Sequence, residues 1–277
     1  MSDIKPVIDP NDDCTASCCD DTPQWSAPFG ARLLELVEYR RGITVLDIGT
    51  GTGYPLLELA MRLGPTCRVY GVDPWAAALA RARLKAEVCG IDTVTLIRGA
   101  AEALPFADAS IDLMVSNNGL NNIADMSAAL RECARVARKG CRFVMTMNLE
   151  GSMVEFYDVY RESLRAHGMS ELLPAIEEHI RAKRPGTARV EELFRECGFS
   201  PGRTVADSFV WRFADGTAMF GHFLIRLAFL DAWKACVPAG ARDRIFADIE
   251  ARINAQSGDG KGFALTVPFV AMEFIKR

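Results

Sequence analysis

The run Val45-Leu-Asp-Ile-Gly-Thr-Gly-Thr-Gly-Tyr54 constrains this chain more than any other stretch. An apolar, β-prone segment ends, glycine fills positions 49, 51 and 53, and helical periodicity resumes with Leu56, Leu57, Leu59, Ala60 and Leu63. Without Cβ atoms such a turn adopts positive φ and lets a ligand approach the main chain. Strand-to-helix turns of this kind lie at the carboxyl edge of parallel sheets, where nucleotide-like ligands sit. The spacing is G-x-G-x-G. A dinucleotide fingerprint needs G-x-G-x-x-G, and its third site falls on Tyr54 counted from Gly49 or on Leu56 counted from Gly51. A phosphate-binding P-loop needs Gly-Lys-Ser/Thr, which is absent from the turn. A carboxylate, Asp47, stands two residues before the first glycine, and a second, Asp73, ends the next apolar run. An acid at that second place accepts hydrogen bonds from ribose hydroxyls, in a nicotinamide dinucleotide and in other adenosyl ligands alike.

The flanking pattern alternates. Strands are predicted over 43–48, 67–72, 93–98, 111–116 and 141–147, with helices from 28, after Pro55, over 75–89 and over 124–138. Strands alternating with helices of this length imply βαβ units and a parallel sheet covered on both faces. Beyond Asn148 the pattern changes: helix over 152–182 broken at Pro174, a short helix over 189–197, strands over 204–213 and 263–275, and an apolar helical insertion over 215–257 interrupted near Pro238. The expected organisation is an irregular segment, 1–27, with Pro6, Pro10 and Pro23, followed by one domain, 28–277, carrying helical substrate-lid insertions at about 152–182 and 215–257.

Composition narrows the class. The chain has 277 residues, 49% of them apolar, enough for a sizeable core. A net charge of −4 argues against general nucleic-acid binding, which needs a basic face. No apolar run reaches the roughly 18–20 residues that span a bilayer. The acidic start is not a secretory signal. Nine cysteines, an odd number lying mostly in apolar runs, read as free thiols in a reducing compartment, so a cytoplasmic location is expected.

Four further pieces stand in order with the glycine turn, within a run that extends to Met147: Gly71-Val-Asp-Pro74, Gly99-Ala-Ala-Glu-Ala-Leu-Pro-Phe106, Ser110-Ile-Asp-Leu-Met-Val-Ser-Asn117 and Ala129-Leu-Arg-Glu-Cys-Ala-Arg-Val-Ala-Arg-Lys-Gly140. Together they resemble the class I methyltransferases that use S-adenosylmethionine (SAM), in the style of the ubiquinone/menaquinone C-methyltransferase group. The resemblance implies a Rossmann-like three-layer α/β sandwich with a mostly parallel seven-stranded sheet, an antiparallel last strand and a helical insertion before it. It implies SAM as cofactor and a small-molecule methyl acceptor as partner, with neither nucleic acid nor a membrane span involved, in a monomer or homodimer. By the same resemblance Asp47, Gly49, Thr50, Gly51 and Gly53 line the methionine end of SAM. Asp73 holds the ribose, Pro74 and Trp75 border the adenine, Ala101 and Glu102 lie at the adenine edge, and Asn117 lies beside the sulfonium. The chain departs from the family at Ala100, where an aspartate is common.

Acceptor-side candidates are read from the residues themselves. Asn117, Asn118, Asn121 and Asn122 crowd the loop after the fourth strand, and amides both donate and accept; turn-forming and capping roles explain them equally. On the insertion, His222 and Arg226 share a helix face four residues apart, so His222 is a candidate general base and Arg226 a candidate anion contact, with Phe223 beside them. Core packing or a dimer contact is the alternative for this apolar insertion. By the resemblance, the segment of Trp25 and Phe29 folds over SAM and excludes water, which makes both candidate substrate contacts; a core-packed N-terminal helix is the alternative. Cys14, Cys18 and Cys19 form C-x3-C-C; a soft metal or metalloid site is the sharper reading and an unstructured tail the blander one. Two rivals remain open on the sequence: a SAM-binding sensor or partner subunit without catalysis, and a metalloid or thiol methyltransferase using those cysteines. An NAD(P)-dependent oxidoreductase is disfavoured by the glycine spacing.

Overall fold

The structure, a computed structural model, describes residues 8–9, 11–258 and 260–277. In chain order the principal elements are α1 (Asp13–Asp21), α2 (Ser26–Leu36), β1 (Thr44–Ile48), α3 (Leu56–Leu63), β2 (Arg68–Asp73), α4 (Ala76–Val88), β3 (Val94–Arg98), β4 (Ile111–Asn117), α5 (Met126–Val136), β5 (Ala137–Asn148), α6 (Val154–Ala166), α7 (Leu173–Lys183), α8 (Thr187–Glu196), β6 (Phe199–Phe213), α9 (Gly216–Gly221), a π-helix (Ile225–Phe229), α10 (Leu230–Ala235), α11 (Arg242–Gln256) and β7 (Phe263–Lys276). The strands form one seven-stranded sheet in the order β3-β2-β1-β4-β5-β7-β6. β1 pairs parallel with β2 and β4, and β2 with β3. β4 pairs parallel with β5, and β5 antiparallel with β7. This is the expected α/β fold, including the reversed last strand.

The chain divides into two compact units. Among the described residues the larger comprises 9–148, 185–207 and 269–277; the smaller comprises 8, 149–184 and 208–268. In the larger unit, Val45, Val69, Val115 and Val144 of adjacent strands bury one sheet face against Leu33 of α2 and Leu56, Leu59 and Leu63 of α3. Strands buried on both faces explain the continuous apolar runs that stand in place of alternation. The smaller unit gathers both predicted insertions into one body. Phe156 of α6 stacks on Trp233 of α10 with centroids 3.9 Å apart. The Tyr160 ring meets Phe246 of α11 edge-on at 5.5 Å, and its hydroxyl donates to the Trp233 carbonyl at 2.9 Å.

Several expectations are corrected. Residues 1–7 and 10 of the segment expected to be irregular, with Pro6 and Pro10, lie outside the described residues, but 13–21 is helical. Asp12 caps α1 by accepting from the Cys14 N–H, and Asp20 pairs with Arg81 and Lys85 of α4. Those long-range ion pairs are invisible to local periodicity. Pro174 does not break a helix. It occupies the first turn of α7, where its missing N–H costs nothing, and the break falls earlier, at 167–172. The insertion is not one helix around residue 222. α9 ends there, His222 is extended, and the chain then forms the π-helix.

Candidate functional site

The glycine turn is tied to the end of β2. The Gly49 N–H donates to the Val72 carbonyl at 2.9 Å, and the Gly51 N–H donates to Asp73 Oδ2 at 2.8 Å. Gly49 and Gly51 take φ of +74° and +51°, a region that penalises side-chain-bearing residues. The space beside Gly51 is open within 4 Å of where a Cβ would lie. A Cβ on Gly49 would come within 3.2 Å of the Gly119 Cα. The turn after β1 and the loop after β4 therefore approach backbone to backbone.

Two carboxylates anchor this edge and differ in partners. Asp73, 8% exposed, accepts from the N–H groups of Gly51 and Trp75, each at 2.8 Å. Burial pushes its carboxyl up, while those two backbone donors pull it back. Asp47 is fully buried. Its Oδ2 accepts from the Thr50 hydroxyl at 2.7 Å, but its Oδ1 has no hydrogen-bond partner. Burial raises its pKa to about 7, opposed by Thr50 and assisted by the nearby Asp73 charge. A buried carboxylate oxygen left without a donor is costly unless a ligand supplies one. Beside the turn lies a cavity of about 230 Å³, bounded by Ile48, Gly49, Val72, Pro74, Gly99, Ala100, Ala101, Glu102, Asn122, Ile123 and Ala124. One cavity thus brings together Gly49, Pro74, Ala101, Glu102 and Asn122, which the sequence singled out in four separate stretches.

The family follows from comparison with known proteins. The profile described as "Methyltransferase domain" matches residues 40–185, just over half of the chain. The demethylmenaquinone methyltransferase of Listeria monocytogenes is 31% identical over 184 residues, covering 63% of this chain and 77% of that relative. This chain belongs to the class I SAM-dependent methyltransferases. The fold agrees with solved structures of low identity. The YcgJ protein of Bacillus subtilis superposes with a TM-score of 0.57 at 18% identity over 91% of this chain and 99% of that one. A SAM-dependent methyltransferase of Aquifex aeolicus gives 0.53 at 19% identity over 70% and 92%.

The methyltransferase's cofactor is SAM, and the residues present fit it. The orphaned Asp47 Oδ1 is left for a donor such as the ammonium group that SAM carries at its methionine end. The open side of Gly51 leaves room along the turn, and each Asp73 oxygen keeps a lone pair for a ribose hydroxyl. The Ala100 methyl lines the cavity and supplies no carboxylate there.

The asparagine loop is used differently. The Asn117 amide donates to the Ser26 carbonyl at 3.1 Å, and its oxygen accepts from Thr146 at 2.9 Å. Asn118, at φ +53°, accepts from the Asn148 N–H, and Asn122 donates to the Asn118 carbonyl. Asn121 donates to Asn148 at 3.1 Å and keeps a buried oxygen without a partner. Sequence reasoning missed the residue this loop depends on. A Cβ on Gly119 would lie 2.7 Å from the Ile48 carbonyl and 2.8 Å from Ser116 Oγ. The signal was a lone glycine between asparagine pairs. Ile123 and Ala124 were also missed, since apolar and small lining residues outside the strings carry no motif.

The remaining candidates differ in burial and partners. Phe29 is fully buried with its ring 4.7 Å from Phe269, and Trp25 packs on it at 5.5 Å, at the start of α2. His222, Phe223 and Arg226 belong to the smaller unit. The His222 ring meets Trp211 edge-on at 4.8 Å, and its Nδ1 accepts the Leu224 N–H at 3.3 Å. Burial holds its pKa down. That bond engages the Nδ1 lone pair. Cys14 and Cys18 are exposed on α1, while burial, with Cys18 and Asp20 adding, raises the Cys19 thiol to about 11. A thiol held protonated is a poor ligand and nucleophile. Among the described residues no group of three or more His, Cys, Asp or Glu is placed to hold a metal ion.

Proposed function

We propose that this methyltransferase moves the SAM methyl group to a small-molecule acceptor in the cytoplasm, and that a demethylated quinone is the acceptor class to assay first. The similarity to demethylmenaquinone methyltransferases of Listeria monocytogenes and Anoxybacillus flavithermus supports that class, and the odd number of cysteines supports a reducing compartment. No helix among the described residues is long and apolar enough to cross a membrane.

The observation that carries the reading is the buried Asp47 oxygen without a donor at the foot of the glycine turn. When bound, SAM supplies an activated methyl on a sulfonium. The chain's task is to bind, orient and desolvate. Asp47 takes a cationic donor, Asp73 the ribose hydroxyls, and Ile48, Val72 and Ile123 exclude water from the cavity. Holding two reactants in line accounts for about 7–11 kcal/mol of barrier in well-oriented systems. An enolate or thiolate acceptor needs no protein base; for a phenol or carbon acid, His222 serves only if its Nδ1 bond to Leu224 is given up.

The test is calorimetry on the purified protein. SAM and its demethylated product are expected to bind while NAD gives no heat, and labelled SAM with demethylmenaquinol is expected to turn over. Binding of SAM without transfer to any small acceptor would instead favour the sensor reading. No heat with SAM would end the proposal.

A further inference from the structure

Among the described residues, the smaller unit holds a buried cation without a carboxylate counter-ion. Arg184 is 4% exposed and lies at the C-cap of α7. Its guanidinium stands over the Tyr157 ring, 5.2 Å from the centroid. Both Nη atoms reach only the Tyr157 hydroxyl, at a long 3.4 Å, and Nε has no partner. The same hydroxyl already accepts the Trp233 Nε1–H at 3.1 Å. Two other arginines of the unit have carboxylate partners: Arg161 with Glu177 at 2.7 Å, and Arg252 with Asp248 at 2.7 Å. Arg184 has no carboxylate partner among the described residues.

A guanidinium cannot shed its charge. Desolvating it without a counter-charge is strongly unfavourable, and a ring face and a helix carboxyl end offset only part of that. His179, 6.3 Å from Tyr157 between ring centroids, answers the same field: burial first, then Arg184, lowers its pKa and keeps it uncharged. The cluster is thus one cation, a hydroxyl and aromatic walls.

We propose that this unit binds a small organic carboxylate, seated on Nε and one Nη of Arg184 beside Tyr157 and Trp233. The fork of Nε and Nη matches a planar carboxylate in two parallel hydrogen bonds. One guanidinium balances one negative charge, so a dianionic phosphate leaves an excess charge in a buried place. The apolar part of the ligand meets the aromatic walls. This goes beyond the reading of SAM-dependent transfer and does not depend on it.

The probe is sodium benzoate, titrated into the full-length protein at ionic strength held constant with chloride; inorganic phosphate forms a second arm. Melting temperature and the nitrogen-bound proton signal of Arg184 Nε are read. The expected result is a saturable rise of a few degrees and a saturable shift of the Nε signal with benzoate alone. Arg184→Met is expected to lose the rise. Should that variant not fold, Arg184→Lys, which keeps the charge without the fork, is expected to weaken benzoate binding at least tenfold. A flat wild-type response, an equal response to phosphate, or a benzoate response retained in the variant overturns the proposal. SAM is titrated in the same samples: a SAM response without a benzoate response overturns the carboxylate site alone, and the reverse overturns the cofactor reading alone.

Discussion

The glycine turn at 49–53 and the asparagine loop at 117–122 meet at one edge of one sheet, yet they dispose of their polar groups in opposite ways. In the loop, the side-chain amides that advertise ligand binding are engaged in bonds that join α2, β4 and β5, with one neutral oxygen, Asn121 Oδ1, left open. In the turn, a carboxylate is buried and one of its oxygens is left without a donor. The lesson concerns satisfaction, not composition. A polar side chain whose bonds close inside the protein is scaffold, and one that stays open after burial points to a ligand.

That contrast can be broken by substitution. The largest effect is expected for Asp47→Asn. It removes the charge while keeping the Thr50 bond, so the fold stands and SAM affinity falls ten- to a hundredfold, the worth of a charge-assisted hydrogen bond at about 1.5–3 kcal/mol; calorimetry checks it. Next comes Gly119→Ala, whose Cβ collides with the Ile48 carbonyl. A loss of about 1–3 kcal/mol in unfolding free energy is expected by denaturant titration, with weaker SAM binding following the misplaced turn.

The pH response sharpens the comparison. The Asp47 pKa, near 7 without ligand, lies above its unfolded value. Its contribution to stability is therefore present at low pH and lost as pH rises through 7. A cation at Oδ1 lowers that pKa, so SAM affinity is expected to fall roughly tenfold from pH 7.5 to 6 in the wild type and to stay level in Asp47→Asn. The smallest effects belong to the loop. Asn117→Ala is expected to cost about 1 kcal/mol of stability, with SAM affinity changed less than threefold.

The sequence made the sheet legible because strands buried on both faces leave uninterrupted apolar runs and because glycine spacing is tied to backbone geometry. It made the site half legible. Asp47, Asp73, Ala101 and Glu102 stood in recognisable strings, but whether an asparagine is spent internally depends on partners 27–30 residues or more away, such as Thr146 and Asn148. α1 was illegible for a related reason: Asp20 finds Arg81 and Lys85 across more than 60 residues. Nor could local pattern foresee that the two insertions form one body, since Phe156 and Trp233 meet only in three dimensions. The helix around His222 was misread because a uniform pitch was assumed where the chain breaks and then widens into a π turn.

The most direct measurement is the proton count on SAM binding at pH 6.5, from calorimetry in two buffers of different ionisation enthalpy. The expected result is net release of a proton fraction by the wild type, absent in Asp47→Asn, because the incoming cation converts a partly protonated carboxyl to carboxylate. SAM binding with no difference between the two proteins in proton release would contradict the role given to Asp47.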